Sequence, residues 1–300
     1  MWKITKSVLL MRKSIPNIIP AVFLYFSNRQ AIFLKFKEGR RVTVSRRLFI
    51  QLVSLSYFHT LVPINVDTAG VIQFERGMRI SNQTRDVYWD LLFSCGWKRE
   101  RGRVEKGGVA FLIESDPSSI FETFEIQEYK LCVTGHDVVD IGAGFGESSI
   151  YFAHKGASKV YAFEPVPARC AIAKRNFALN PLISDRIKLK QIAVVASPEL
   201  RVSGKAKMES VSEPAKASLT EIISEVEDPF LLKIDCEGCE YDLITQEFQS
   251  VSRFQNVIFE FHPNMTFQSP KPLFELFAQV YECHLSQGDK MLGVMRCTKK

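Results

Sequence analysis

The chain has 300 residues, of which 46% are hydrophobic, 24% charged and 11% aromatic. These fractions are typical of a folded globular protein and exclude a disordered, collagen-like or repetitive chain. The net charge of +6 is uneven: Lys and Arg outnumber Asp and Glu by 19 to 7 in residues 1–107 and are outnumbered by 26 to 20 in residues 108–300. Such a basic segment favours an anionic partner, such as lipid headgroups, nucleic acid or an acidic glycan.

Two features of the sequence bear on the cellular compartment. No apolar run reaches the roughly 20 residues of a membrane-spanning helix, and the best candidate, residues 18–26, is short and contains Pro20. The seven cysteines are an odd number spread over a long chain, which predicts reduced thiols. We therefore expect a cytoplasmic protein, and the basic segment together with residues 18–26 leaves attachment to the membrane surface as an alternative.

The predicted elements change in character along the chain. Residues 31–44 predict a β-hairpin and residues 46–61 an apolar helix, and Gly107-Gly108 marks a break. We expect a basic α+β region over 1–107 and a second domain over 108–300. In the second domain strands alternate with helices. The predicted strands are 109–114, 137–141, 160–164, 187–195, 230–235 and 257–261, and the predicted helices are 118–131, 147–155, 167–180, 219–226, 241–254 and 270–280. This alternation predicts an α/β domain with a doubly wound parallel sheet, whose ligands bind at the carboxyl ends of the strands.

A glycine-rich turn follows the strand at 137–141 and opens a helix. Its pattern is D-x-G-x-G-x-G, made by Asp140, Gly142, Gly144 and Gly146, and it departs from the G-x-G-x-x-G of dinucleotide sites. An acid before the turn suits an ammonium group, and Glu164 at the end of the next strand can accept both hydroxyls of a ribose. An amine and a ribose without a diphosphate describe S-adenosylmethionine, so we predict that these five residues bind this cofactor.

Acids and a histidine follow the last two predicted strands of the sheet. They are Asp235, Glu237 and Glu240 after one strand, and Glu260 and His262 after the other. Residues two apart in an extended chain share a side, so Asp235 aligns with Glu237, and Glu260 with His262. Such a cluster can remove a hydroxyl proton or hold a divalent cation. Taken singly, the two glutamates at 237 and 240 are more often first-turn helix acids, and the histidine a hydrogen-bonded core residue.

Four segments together resemble the FkbM family of S-adenosylmethionine-dependent methyltransferases. They are VVDIGAGFGESSIYFA, VYAFEPVP, LLKIDCEGCEYDLI and VIFEFH, and the resemblance covers about residues 109–265. It implies a Rossmann-like methyltransferase fold and methyl transfer to a hydroxyl oxygen of a sugar, glycolipid or small metabolite. It also implies that Asp235, Glu237 and Glu240 line the reaction centre. Residues 1–105 lie outside the resemblance, and we expect them to select the acceptor.

The resemblance leads to a mechanism. Alignment of the two reactants is expected to supply most of the lowering of the reaction barrier. Either Asp235 or His262 acts as the base, and Glu237 and Glu260 position a hydroxyl or a cation. Where the family usually has small apolar residues, this chain has Cys236 and Cys239. We interpret these two cysteines as small hydrophobic side chains, because zinc binding or redox cycling needs a context that the sequence lacks.

Two other functions are weighed against this one. An RNA methyltransferase would bind phosphates with the basic segment, but base-methylating enzymes of this fold often carry an Asn-Pro-Pro-Tyr-like motif where this chain has Asp-Cys-Glu-Gly. A non-catalytic cofactor-binding protein would not need an acid cluster, which costs stability without a partner. We therefore favour a hydroxylated small-molecule or glycan acceptor over nucleic acid, and the RNA methyltransferase and the non-catalytic binding protein remain the alternatives. An anionic membrane surface is a further candidate partner, and the oligomeric state does not follow from the sequence.

Overall fold

A computed structural model describes residues 2–196, 214–262, 268–289 and 292–300. The chain forms two compact units, Met1–Arg99 and Glu100–Lys300, and their boundary precedes the residue 107 expected from the glycine pair. Residues 197–213, between the strand predicted at 187–195 and the helix predicted at 219–226, lie outside the described residues.

The first unit is an α+β structure. Its elements are α1 (Trp2–Met11), α2 (Ile18–Phe26), β1 (Ala31–Lys35), β2 (Arg41–Ser45), α3 (Arg46–Phe58), β3 (Pro63–Val66), β4 (Val71–Phe74), β5 (Arg79–Ser81) and α4 (Val87–Ser94). The predicted hairpin is confirmed, since β1 and β2 pair in antiparallel register and bury alternate side chains. The predicted helix after the hairpin is also confirmed, as α3. It begins at Arg46 because the side chain of Ser45 caps it by accepting a bond from the Leu48 amide at 3.1 Å.

The second unit alternates strands and helices. Its elements, with β6 at the boundary, are β6 (Lys98–Glu100), β7 (Arg103–Lys106), β8 (Val109–Leu112), α5 (Pro117–Phe121), β9 (Asp137–Ile141), α6 (Glu147–His154), β10 (Lys159–Phe163), α7 (Pro167–Ala178), β11 (Ile187–Lys190), β12 (Ala193–Val194), β13 (Lys216–Ala217), α8 (Leu219–Ile223), β14 (Leu231–Ile234), α9 (Glu240–Gln246), α10 (Phe248–Val251), β15 (Asn256–Phe261), α11 (Lys271–Val280), β16 (Tyr281–Asp289) and β17 (Leu292–Lys299).

Seven of these strands form the central sheet in the order β11-β10-β9-β14-β15-β17-β16. The first five are parallel, and β17 runs antiparallel to both neighbours. The doubly wound fold is therefore confirmed. Strands β9 and β14 are buried along their whole length, which explains their continuous apolar runs. The chain leaves β9 toward one edge and returns at β14 on the other side, and this switch of direction opens a cleft at the carboxyl ends of the two strands.

Some predicted boundaries are wrong for local reasons. The helix expected from Ser118 or Ser119 to Leu131 begins instead at Pro117, where the Asp116 carboxylate accepts a bond from the Ser118 amide at 2.9 Å. An Asp cap followed by proline is a strong helix start. A π-helical turn at Glu122–Ile126 then ends the helix early.

The prediction of reduced thiols is wrong for four cysteines. Disulfides join Cys236 to Cys239 and Cys283 to Cys297. The first pair lies in one tight turn, and the second faces across the antiparallel register of β16 and β17. Composition could not reveal either proximity. The interpretation of Cys236 and Cys239 as two separate hydrophobic side chains is therefore corrected. In the described part of the chain, no helix is long and apolar enough to cross a membrane.

Candidate active site

Two clefts meet at the carboxyl ends of β9 and β14. The first, the apolar cleft, holds about 560 Å³ of empty space and is lined in part by Ile141, Phe163, Glu164, Ile192, Val194 and Cys239. The second, the acidic cleft, holds about 650 Å³ and is lined in part by Glu122, Glu128, Tyr129, Glu147, Lys233 and Glu260. Gly142, Asp235 and Glu237 line both clefts, so the two clefts are adjacent at this point.

The glycine-rich turn crosses the loop that follows β14 at very close range. Gly142 has a φ of +78°, and a Cβ there would collide with the backbone carbonyl of Asp235. Gly146 has a φ of +93°, and a Cβ there would collide with the ring of Phe177. Glycine is therefore required at both positions, for backbone conformation and for space. Because Gly142 and Asp235 line both clefts, this close crossing lies at the boundary between them.

Glu164 lies at the end of β10, where the sequence predicts it. Its Oε2 accepts a bond from the Gly144 amide at 3.0 Å, and its Oε1 accepts one from the Val166 amide at 2.9 Å. Burial raises the pKa of Glu164 more than these bonds and nearby cations lower it. A carboxylate accepts up to about four hydrogen bonds, so two amide donors leave capacity for hydroxyl donors from the apolar cleft.

Asp140 is fully buried and has internal partners. Its Oδ2 accepts bonds from the hydroxyls of Ser148 at 2.7 Å and Ser149 at 2.6 Å. Its Oδ1 lies 3.0 Å from the Lys233 ammonium. These contacts tie the start of α6 to β14. They favour a positioning role for Asp140, and its direct contact with the ammonium of a ligand stays a prediction.

Lys233 is a central residue that the sequence analysis left without a role. Its ammonium donates to the Gly142 carbonyl at 2.8 Å and lies 3.8 Å from the Asp235 carboxylate. Burial acts to lower the pKa of Lys233, but the charges of Asp140 and Asp235 outweigh it and raise the pKa above its ordinary value. The signal in the sequence was a lysine inside the apolar run of a buried strand, because such a charge needs a partner.

Histidine 262 is held by carboxylates on both sides of its ring. The buried Glu240 lies 3.0 Å from Nδ1 and also accepts a bond from the His262 amide at 2.9 Å. Nε2 lies 3.5 Å from a Glu260 oxygen and 4.0 Å from a Glu237 oxygen. The structure thus brings Asp235, Glu237, Glu260 and His262 together, and it places Glu240 behind them as the group that orients the imidazole.

The pKa values suggest a different division of roles from the predicted one. Burial acts to lower the pKa of His262, but its hydrogen bonds to Glu240 and Glu260 raise it to about 11, so the ring is a cation at neutral pH. Burial acts to raise the pKa of Asp235, but the charges of Lys233 and His262 outweigh it and leave the pKa below its usual value. Burial and the charge of Asp235 raise the pKa of Glu260. Glu260 is therefore the better proton acceptor of the three.

A segment between α5 and β9 contributes three residues that the sequence analysis missed. The Tyr129 hydroxyl donates to the Asp235 carboxylate at 2.8 Å. Burial, followed by repulsion from neighbouring acids, holds the pKa values of Glu122 and Glu128 well above their usual range. Arg296 of β17 fixes the segment by donating to the Glu128 carbonyl at 2.9 Å. A π-helical turn and a distant arginine leave no local signal, so sequence reasoning had no means of placing these acids.

Comparisons with known proteins show several similarities. The model of the methyltransferase FkbM domain matches residues 140–291. A ribosomal protein L11 methyltransferase from Pediococcus pentosaceus is 27% identical over 128 residues, which cover 40% of this chain and 36% of that protein. The chain therefore matches only about a third of the length of this curated relative.

Two solved structures are also similar. One is the methyltransferase FkbM from Methylobacillus flagellatus KT, with 13% identity, a TM-score of 0.44, and coverage of 60% of this chain and 47% of that chain. The other is an O-methyltransferase from Bacillus cereus in complex with SAH, with 17% identity, a TM-score of 0.39, and coverage of 62% and 82%.

Proposed function

The chain belongs to the family of methyltransferase FkbM domains, and from this premise we propose that it transfers the methyl group of S-adenosylmethionine to a hydroxyl oxygen of a small-molecule or glycan acceptor. The observation that carries the proposal is the meeting of the two clefts. Because Gly142, Asp235 and Glu237 line both, a donor in the apolar cleft and an acceptor in the acidic cleft would come into contact beside the acid cluster.

The residues of the apolar cleft fit the cofactor. The side chains of Phe163, Ile192 and Val194 offer an apolar surface for the adenine. Glu164 offers acceptors for the ribose hydroxyls, and a side chain at Gly142 would block the crossing of the loops. The bound cofactor supplies a methyl group on a sulfonium centre, ready for in-line displacement by a nucleophile.

The residues of the acidic cleft prepare the acceptor. As the new carbon–oxygen bond forms, the acceptor hydroxyl loses a proton, and Glu260 takes it because its pKa is raised. Glu260 is a carboxylate before the transfer, when the His262 cation pairs with it across the 3.5 Å between Nε2 and Oε1, and it becomes a neutral acid when it takes the proton. Lys233 fixes the Gly142 carbonyl and lies beside the Asp235 carboxylate. Alignment of this kind supplies up to about 7–11 kcal/mol of a reaction barrier.

The predicted divalent cation has a candidate position in the same cluster. One ligand atom from each of Asp235, Glu260 and His262 lies within 4.8 Å of the others. A metal ion there would take the place of the proton on His262 Nε2, so it would replace the imidazolium of the metal-free cluster. The Glu240 carboxylate on Nδ1 matches the way in which an acid orients a metal-binding histidine. Titration of Mn²⁺ into the protein, followed by its electron paramagnetic resonance signal, tests this role. We expect binding that His262→Ala removes, and an unchanged free Mn²⁺ signal with the wild type would contradict it.

Methyl transfer is tested with labelled S-adenosylmethionine and panels of sugars, glycolipids, small metabolites and RNA. We expect label on a hydroxylated acceptor. Glu260→Gln should keep the affinity for S-adenosylhomocysteine and lower transfer by about 10²–10⁴-fold, whereas the matched change Glu282→Gln, on an exposed side chain of β16, should leave both unchanged. Label on RNA alone, or full transfer by Glu260→Gln, would contradict the proposal.

A further inference from the structure

Helix α2 of the first unit is apolar on its outward face as well as on its inward face. Ile18 and Ala21 are fully buried, whereas Ile19, Phe23 and Phe26 are 42%, 69% and 63% exposed. These three positions are spaced four and three residues apart, so they form one stripe along the helix. We call them the α2 stripe. A contiguous apolar surface of this kind on a folded protein marks an interaction site.

The α2 stripe is held firmly on the fold. At the start of the helix, the Asn17 side chain donates to the Phe33 carbonyl at 2.9 Å and accepts a bond from the Lys35 amide at 2.7 Å. On the inward side, the ring of Tyr25 packs against Phe49, with 5.8 Å between ring centroids. The helix is therefore anchored at its first residue and along its buried side. This leaves the stripe presented to solvent in a fixed orientation.

The charged residues that flank α2 along the chain are all basic. Residues 1–37 contain seven Lys and Arg and no Asp or Glu. Arg12 and Lys13 lie just before the helix and Arg29 just after it, and all three are exposed. An apolar stripe between cations complements a surface that has anionic groups over an apolar interior, as a lipid bilayer does. A second copy of the chain would bring these cations against one another.

We propose that α2 docks the chain on the surface of an anionic lipid bilayer, with the α2 stripe in the headgroup region. The nine residues of the helix span about 14 Å, less than half of the roughly 30 Å of a bilayer's hydrocarbon core. The helix therefore lies along the surface and does not cross the bilayer. This docking goes beyond the proposed methyl transfer and does not depend on it.

The test is flotation of the full chain with vesicles of phosphatidylcholine, with or without 30 mol% phosphatidylglycerol. The variant Phe23→Ser/Phe26→Ser removes most of the stripe, and Leu182→Ser is the matched control, because Leu182 is an 89% exposed apolar residue of the second unit. We expect binding to the anionic vesicles that falls at least tenfold in the double variant, falls with added salt, and is unchanged in the control.

Three results would overturn the proposal. They are no binding of the wild type, equal binding to neutral vesicles, and equal loss in the Leu182→Ser control. Sedimentation velocity adds a fourth. If the wild type forms a dimer, does not bind vesicles, and loses the dimer in the double variant, then a second copy of the chain covers the α2 stripe. Both altered phenylalanines are exposed, so we expect an unchanged melting temperature for the double variant. If the double variant melts at a lower temperature than the wild type, the flotation assay is repeated with the single variant Phe23→Ser and judged by the same criteria.

Discussion

The buried pair of Lys233 and Asp140 gives the sharpest test of the structural reasoning. Both side chains are buried and their charged atoms lie 3.0 Å apart. Replacing Lys233 by Met leaves the Asp140 carboxylate without its cation and removes the donor to the Gly142 carbonyl. Loss of one partner of a buried pair costs about 3–5 kcal/mol. At about 2–4 °C per kcal/mol for a domain of this size, we expect the second unit to melt about 10 °C lower.

The assay must report on the second unit. Trp2, Trp89 and Trp97 all lie in the first unit, so tryptophan fluorescence would miss the change. Hydrogen exchange of peptides from β9 and β14 reports it directly. The matched control is Lys190→Met, which removes a half-exposed pair with Glu225 and should cost no more than about 1 kcal/mol.

The double variant Lys233→Met/Asp140→Asn removes both charges at once, and we expect it to recover part of the loss. A cost below about 1 kcal/mol for Lys233→Met, or a double variant no more stable than the single one, would refute the reasoning.

Two further predictions concern the glycine-rich turn and the helix that it opens. Burial raises the pKa of Glu147 to about 8, so its contribution to stability is present below the ordinary value of 4.5 and is lost as the pH rises to about 8. Between pH 5 and pH 8 the wild type should lose roughly 4 kcal/mol of unfolding free energy that Glu147→Gln does not lose. Urea denaturation at the two pH values measures this, and an equal change in the wild type and the variant would contradict it. Gly142→Ala should abolish binding of S-adenosylhomocysteine in calorimetry, because the new Cβ collides with backbone. The comparison variant Gly144→Ala should bind S-adenosylhomocysteine more tightly than Gly142→Ala, since its Cβ would meet only the Glu147 side chain at 3.6 Å. Equal affinities of the two variants would contradict the role given to the crossing at Gly142.

The sequence predicted the sheet and much of the site because both depend on local patterns. Alternating strands and helices are enough to give the five parallel strands, since crossovers are short and right-handed. The glycine-rich turn and the acids after β14 and β15 follow strands directly, so the topology itself brings them to one edge. That is why the sequence could place Glu164, Asp235 and Glu260 at this edge, while their roles in binding and catalysis stay predictions.

The rest depends on contacts between distant parts of the chain. The roles of Asp140 and Lys233 come from a pairing across two strands that sequence spacing does not encode. Hydrogen bonds to Glu240 and Glu260 make a cation of His262 against the effect of burial, whereas burial and the charge of Asp235 raise the pKa of Glu260. Neither effect can be seen in the residue types. The disulfide of Cys283 with Cys297 depends on the antiparallel register of β16 and β17, which places the two cysteines opposite each other.

The central claim is that the apolar cleft binds S-adenosylmethionine through Glu164. Calorimetric titration of the cofactor into the wild type and Glu164→Ala tests it most directly, with Glu225→Ala as a control on an exposed acid. Losing hydrogen bonds from the ribose to a charged group costs about 1.5–3 kcal/mol each. We therefore expect wild-type binding with one site per chain, at least about tenfold weaker binding by Glu164→Ala, and an unchanged control. A folded wild type that binds no cofactor, or a Glu164→Ala variant that binds it equally well, would contradict the claim.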